Sequence, residues 1–450
     1  MDIFIKVSQF LLSLSILIVL HELGHFIPAK IFKTKVEKFY LFFDYKFSLF
    51  KKKIGDTVYG IGWIPLGGYV KIAGMIDESM DTEQMKEEPK PYEFRSKPAW
   101  QRLIIMLGGV TVNFILGIVI YIFILNIWGE QYIPNESVKD GIWVQELGEK
   151  IGLQTGDKIL KVDDEPVEKF DRLIINFING HNYTIERDGE IIKKDIPVDF
   201  IADLVERRRD EGSFLMYRMP FIIGSIPDST ANVNSGLKKK DMIVAINNEP
   251  ISYFDEAKAK LLPYANQTIP ITVKRDGVEQ NIDVAISNNG TIGVFPANVS
   301  RVDLSKLGII GLKNKTYTFA EAIPGGFKKA YNTLLDYIGQ IKKVLNPKTG
   351  AYKGLGGFMS IGSIFPATWD WQTFLNITAF LSIMLGFMNL LPIPALDGGH
   401  VVFTLYEMIS GRKPSDKFLE YAQVAGFILL IALLLFANGN DVYKWLTDRF

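Results

Sequence analysis

The sequence predicts a multipass α-helical membrane protein: four transmembrane helices, a β-hairpin between the first two, and two α+β domains outside the cytoplasm. Three observations predict it: four long apolar segments, lysine-rich loops on one side of them, and an internal repeat between the second and third segments. Composition agrees. The chain has 450 residues, is 48% hydrophobic and carries no formal net charge, so it is long enough for several domains and its mean hydropathy averages two unlike parts. No charge surplus points to nucleic acid. Cysteine is absent, which excludes disulfides and thiolate ligands and leaves His, Asp and Glu to bind metal.

The segments expected to cross the bilayer are residues 3–32, 103–127, 374–396 and 418–437. The first is too long to be the apolar core of a cleavable signal peptide. Basic residues crowd 33–102, including Lys51, Lys52 and Lys53, and return as Arg412, Lys413 and Lys417 after the third segment. The positive-inside rule makes both loops cytoplasmic and leaves both termini and the stretch 128–372 outside. The expected division is 1–127 as the first part of the membrane core, with the hairpin at 58–72, then domains at 128–207 and 208–300. An extracytoplasmic linker follows at 301–372, and 373–450 completes the core.

Within the first segment stands His21-Glu22-Leu23-Gly24-His25. Residues four apart share one helix face, so both imidazoles reach a single ion, and Glu22 reaches a water beside it. This pattern is a zinc signal, and such sites take three protein ligands and keep one position open. The alternative is three polar residues packed in a bundle, but ionisable groups inside a span mark function by default.

The third segment runs inward like the first and ends in Asn389-Leu-Leu-Pro392-Ile-Pro394-Ala-Leu-Asp397-Gly398-Gly399-His400, which brings Asp397 to the depth of His21 and His25. Two prolines break the helix there, and broken backbone at that depth must line protein or a wet cavity. Asp397 is the third ligand expected, with His400 as rival or outer partner; the other role for Asp397 is a cap before Gly398-Gly399. Two neutral imidazoles, a divalent ion and two ionised carboxylates sum to zero charge, the arrangement easiest to bury.

The run 59–72, with Gly60, Gly62, Gly67 and Gly68 around Pro65, reads as a β-hairpin of apolar and aromatic residues. Asn113 and Asn389 are amides inside spans that either hold extended substrate backbone or bridge neighbouring helices.

These motifs resemble the site-2 protease family of intramembrane zinc metalloproteases, and the layout of the whole chain is similar to its bacterial regulator-of-sigma-E protease branch. The resemblance implies Zn²⁺ held by His21, His25 and Asp397, with Glu22 as general base, in a bacterial inner membrane. It implies that 58–72 is re-entrant beside the site, where its edge pairs with unwound substrate. Asn389 matches the family's Asn-x-x-Pro pattern and is expected to contact substrate, as is Asn113. The implied substrates are single-span membrane proteins, such as an anti-sigma factor left after a first cut, and remnant signal peptides.

In the long loop, Gly152-Leu153-x-x-x-Asp157-x-Ile159 recurs 84 positions on as Gly236-Leu237-x-x-x-Asp241-x-Ile243, and Arg187-Asp188-Gly189 recurs 88 positions on as Arg275-Asp276-Gly277. Tandem copies of one small domain are the simplest reading. Both resemble bacterial PDZ domains, which bind peptide termini at a sheet edge. Copy two has Lys240 where the pattern has glycine, so its turn is expected to be strained. The pair either binds peptide or acts as a steric plug. Residues 317–345 look amphipathic, interrupted early by Pro324-Gly325-Gly326, and either gate substrate passage or simply pack. His181 reads as a surface histidine, and the Gly-rich 354–362 has no role readable from its residues.

A rival from another class is a non-catalytic scaffold that holds outer partners through the repeats. A transporter predicts inverted repeats among the spans, and none is visible.

Overall fold

The computed structural model describes residues 2–75, 88–207 and 212–447. The chain divides into two compact units, one of residues 1–130, 316–347 and 351–450 and another of 131–315 with 348–350.

Among the described residues the first unit holds four helices long and apolar enough to cross a membrane. They are α1 (Asp2–Ile31), α2 (Ala99–Trp128), α4 (Trp371–Leu390) and α6 (Asp416–Leu446). α1 and α2 cross backbone to backbone: a Cβ on Gly24 would lie 2.6 Å from the Gly108 carbonyl carbon and 2.8 Å from Gly109 Cα. Small residues allow such contact where lipid offers no hydrophobic drive to associate. Polar bridges add to it. Gln9 of α1 donates to Pro366 O at 2.9 Å, and Thr378 of α4 bonds Ser13 at 3.0 Å.

Between α1 and α2 lies a four-stranded sheet of β1 (Val36–Phe43), β2 (Phe50–Ile54), β3 (Thr57–Ile61) and β4 (Ile64–Ile72), in the order β2-β3-β1-β4. This corrects the hairpin expected at 58–72. β3 and β4 do not pair; each flanks β1, β3 parallel to it and β4 antiparallel. The true hairpin is β2-β3, turning at Gly55 with φ +60°. Gly62 and Trp63 carry the chain over the end of β1, with Gly62 N–H on Leu41 O and Trp63 N–H on Phe43 O. A side chain at Gly62 would strike the Phe42 and Phe43 carbonyls, so glycine is required at this crossing. β4 contains Pro65 and occupies an edge, where a missing amide donor is tolerated.

The helix α3 (Phe319–Leu345) starts at a capping box of Thr318 and Glu321. It belongs with the spans rather than to a linker: Gly325 approaches Leu125, Gly326 sits on Ile122, Ala330 joins Ile124 and Ile383, and Tyr337 packs against Phe380 and Phe387. The glycines that read as an interruption are its contact face, and the helix runs through them.

α4 stops at Leu390, earlier than expected, and α5 (Asp397–Ser410) begins after six intervening residues. Ala395 in between has φ +100°, a conformation that favours glycine. The Gly-rich 354–362 acquires a role here, because the C-terminal part of α6 holds it. Asn440 donates to Lys353 O at 2.6 Å, Lys444 to Gly354 O at 3.1 Å, and Asp441 accepts from Ser360 N at 3.1 Å. A side chain at Gly357 would collide with Asn438.

In the second unit, two sheets share one topology. Glu190–Asp195, Asn182–Arg187, Lys158–Val162 and Glu165–Pro166 form the first, and Val278–Ala285, Thr268–Arg275, Met242–Ile246 and Glu249–Pro250 the second, in equivalent order. The turn residues Asp163 and Asp164 in one, and Asn247 and Asn248 in the other, all have positive φ, as tight hairpins demand. The expected boundary at 207/208 adjoins residues outside the described set, yet Leu215–Tyr217 beyond it pairs with Ile142–Val144 of the first copy. Phe214 also packs on Phe177 and Phe200, so the first copy reaches Tyr217. Lys240 adopts φ +74° where copy one places Gly156 at φ +99°.

An equivalent ion pair recurs in the two copies: Arg187 grips Asp157, and Arg275 grips Asp241 bidentately at 2.7 Å while donating to Gly236 O. Burial pushes the Asp241 carboxyl up, but Arg275 and the Lys238 amide more than offset it and hold it below the usual carboxylate range. A depressed folded-state pKa contributes stability above the unfolded value that is lost as pH falls through the folded one. The thermal midpoint of this unit in the full chain is therefore expected to drop on acidification below about pH 4. Asp241→Asn should lower the neutral-pH midpoint and flatten that dependence; an unchanged midpoint would contradict it.

Candidate metal centre

His21 and His25 lie one turn apart on α1, both buried, with their Nε2 atoms 3.2 Å apart. Asp397, the first residue of α5, points its Oδ2 between them at 3.3 Å from each. One donor atom from each of the three lies within 4.8 Å of the others. His25 Nδ1 is 2.8 Å from the Ile105 carbonyl, which can only accept, so the ring proton sits there and Nε2 presents a lone pair inward. Asp397 Oδ2 is buried and has no hydrogen-bond donor. Converging lone pairs and an orphaned carboxylate oxygen are stabilised by a cation at their centre, so the donor set fits a divalent metal.

The local sequence explains the convergence. The close α1–α2 crossing leaves Gly109 beneath both rings: a Cβ there would be 2.6 Å from His21 Cε1 and 2.8 Å from Nδ1. The break after α4 then turns the chain so that Asp397 opens a new helix with no cap bond of its own; Leu396 is the residue at the cap position.

Glu22 lines the same cavity, about 480 Å³ in volume, beside the three donors. It accepts from the Val70 backbone N–H of edge strand β4. β4 runs close to α1, since a Cβ on Gly68 would overlap Ile18 and lie 2.7 Å from Tyr40 O. Gly68 and Asn389 line the cavity, and Asn389 Nδ2 is 3.4 Å from His21 Nε2. His400 lines it as well without joining the converging donors.

Four residues expected to touch substrate lie elsewhere. Asn113 is fully buried and bonds His21 Nδ1 at 3.0 Å. Gly60 makes room for the Tyr40 ring, Gly62 for the strand crossing and Gly67 for the Phe43 ring, and none of them lines the cavity. The sequence reading missed the Ile105 carbonyl, Gly109 and the Val70 amide. Only Gly109 left a trace, as part of a Gly108-Gly109 pair inside a bulky apolar run.

Comparison with known proteins places this geometry in context. A protein of Rickettsia conorii whose name carries the words zinc metalloprotease is 28% identical, covering 97% of this chain and 98% of its own. The regulator of sigma-E protease RseP of Escherichia coli is 25% identical over 96% of this chain and 97% of its own, and metalloprotease MmpA of Caulobacter vibrioides is 25% identical over 99% and 97%. The model of peptidase family M50 matches residues 9–433, and the chain belongs to that family.

Proposed function

We propose that this peptidase is a zinc endopeptidase that cleaves transmembrane segments of single-span membrane proteins, including remnant signal peptides and membrane stumps left by an earlier cut. His21, His25 and Asp397 hold the zinc, and Glu22 is the general base. The observation that carries the reading is one cavity, in the unit containing the spans, that gathers two buried imidazoles, the half-buried Asp397 carboxylate and, beside them, Glu22. Bound zinc supplies a Lewis acid that polarises a carbonyl and lowers the pKa of water toward neutrality. Glu22 takes the proton from the attacking water and returns it to the leaving amine. Asn389 turns its amide N–H toward the same space and is placed to bind a substrate carbonyl.

A helical substrate hides its carbonyls in its own hydrogen bonds, so cleavage requires replacement partners. β4, the last strand in the sheet order among the described residues, offers them along its outer side, and its Gly68 and Val70 line the cavity with Glu22. The repeated domains are assigned as PDZ-like, bounding the size of outer segments that reach the bilayer. The basic loops assign the cavity to the cytoplasmic side of a bacterial inner membrane and the repeats to the periplasm. A non-catalytic scaffold would give no reason for Glu22 to share a cavity with three converging donors.

The purified chain, mixed with a single-span substrate in detergent, is expected to cut within the span. Phenanthroline should abolish the cut and added zinc restore it. Cleavage that persists after metal removal, or that falls outside the span, would overturn the proposal.

A further inference from the structure

We infer that Asn113 is a positioning residue for the metal, its side-chain oxygen accepting the Nδ1–H of His21 so that Nε2 is held toward the ion. The inference rests on the proposal that His21 is a ligand and adds the group that makes it one.

Three observations carry it. Asn113 is 0% exposed, its Nδ2 stands 3.0 Å from His21 Nδ1, and its Oδ1 is buried without a donor. The two ends of an amide differ little in shape, and a half-turn places the oxygen where the nitrogen stands. The choice between them is set by the imidazole. With Nδ2 donating, His21 would carry its proton on Nε2, aimed at the lone pair of His25 and at Asp397 rather than free for a metal. With Oδ1 accepting, the proton sits on Nδ1 and the inward nitrogen is a ligand.

The neighbouring histidine provides the second observation. His25 Nδ1 already donates to an oxygen of α2, the Ile105 carbonyl at 2.8 Å. Under the inferred orientation the two ligands are held alike, each by an oxygen from the same helix.

Spacing is the third. Ile105, Gly109 and Asn113 recur every four residues on one face of α2, giving an acceptor, a floor without a side chain, and a second acceptor. Ser382 of α4 donates to the Asn113 backbone carbonyl at 2.7 Å and fixes that turn. Outer partners of this kind set the tautomer and orientation of a metal-bound histidine.

The test is the zinc affinity of the full chain in detergent, read by competition with a chromogenic chelator, with the unfolding midpoint of the metal-free protein measured alongside. Asn113→Leu keeps the branched heavy-atom shape and removes the acceptor; it is expected to weaken zinc binding about 10- to 100-fold. Asn113→Asp offers an acceptor and no donor, and is expected to match or exceed the parental affinity. Parental affinity in Asn113→Leu overturns the inference. Should that variant not fold, Asn113→Asp decides alone, because a loss there means that the amide donates. His21→Ala separates the two proposals: parental zinc binding in it removes the ligand assignment itself, whereas its loss beside an unaffected Asn113→Leu removes only the role of Asn113.

Discussion

Glu22→Gln is expected to retain zinc and to slow cleavage roughly 10²- to 10⁴-fold, the usual contribution of a positioned general base. The amide preserves the size of the side chain and can still accept from the Val70 N–H that meets Glu22 in the structure. Glu22 is not among the three converging donors, so the metal should stay. What disappears is the ability to take a proton from water. Metal content by mass spectrometry and turnover of a single-span substrate, measured on the same preparation, check both halves. Turnover at the parental rate would remove Glu22 from the chemistry, and loss of zinc would make it a ligand.

Asp397→Ala is expected to abolish cleavage and to lose zinc by more than the 10- to 100-fold typical of outer partners. It deletes one of three donors and leaves two imidazoles facing each other at 3.2 Å. The competing role, a helix cap before Gly398-Gly399, predicts a different outcome: about 1 kcal/mol of stability lost with zinc unaffected. The structure disfavours that role, since no side-chain cap bond is made at the start of α5. Zinc titration and thermal unfolding of the variant distinguish the two.

The donor set was legible in the sequence because its parts obey local rules. His21 and His25 share a helix face by spacing, and Pro392 and Pro394 announce broken backbone before Asp397. The four apolar segments were legible by length alone: α1, α2, α4 and α6 each overlap an expected segment, although α4 ends short of its expected bound and α6 runs beyond it. The sheet was not. Residues 59–72 alternate in a way that suits a hairpin, but pairing is decided by a third strand some twenty positions upstream, and β1 inserts between β3 and β4.

Asn113 shows a second limit. A polar amide in an apolar span must find a partner, and the sequence cannot say whether that partner is substrate or a histidine one helix away. In α3, glycines were read as breakers, although packed against Ile122 and Leu125 they allow close approach. Propensity describes a helix in isolation, and here the neighbouring helix decides.

The backbone contact of α1 with α2 has a consequence for how this protein can change. Where bulky side chains meet, a loss of volume on one partner is repaired by a gain on the other, and cores drift through such exchanges. At Gly24, Gly108 and Gly109 there is no volume to trade, because the atoms in contact are main chain and the imidazoles themselves. No second substitution elsewhere can compensate a side chain added there, so a redesign of this core has to keep these three positions and vary the rest around them.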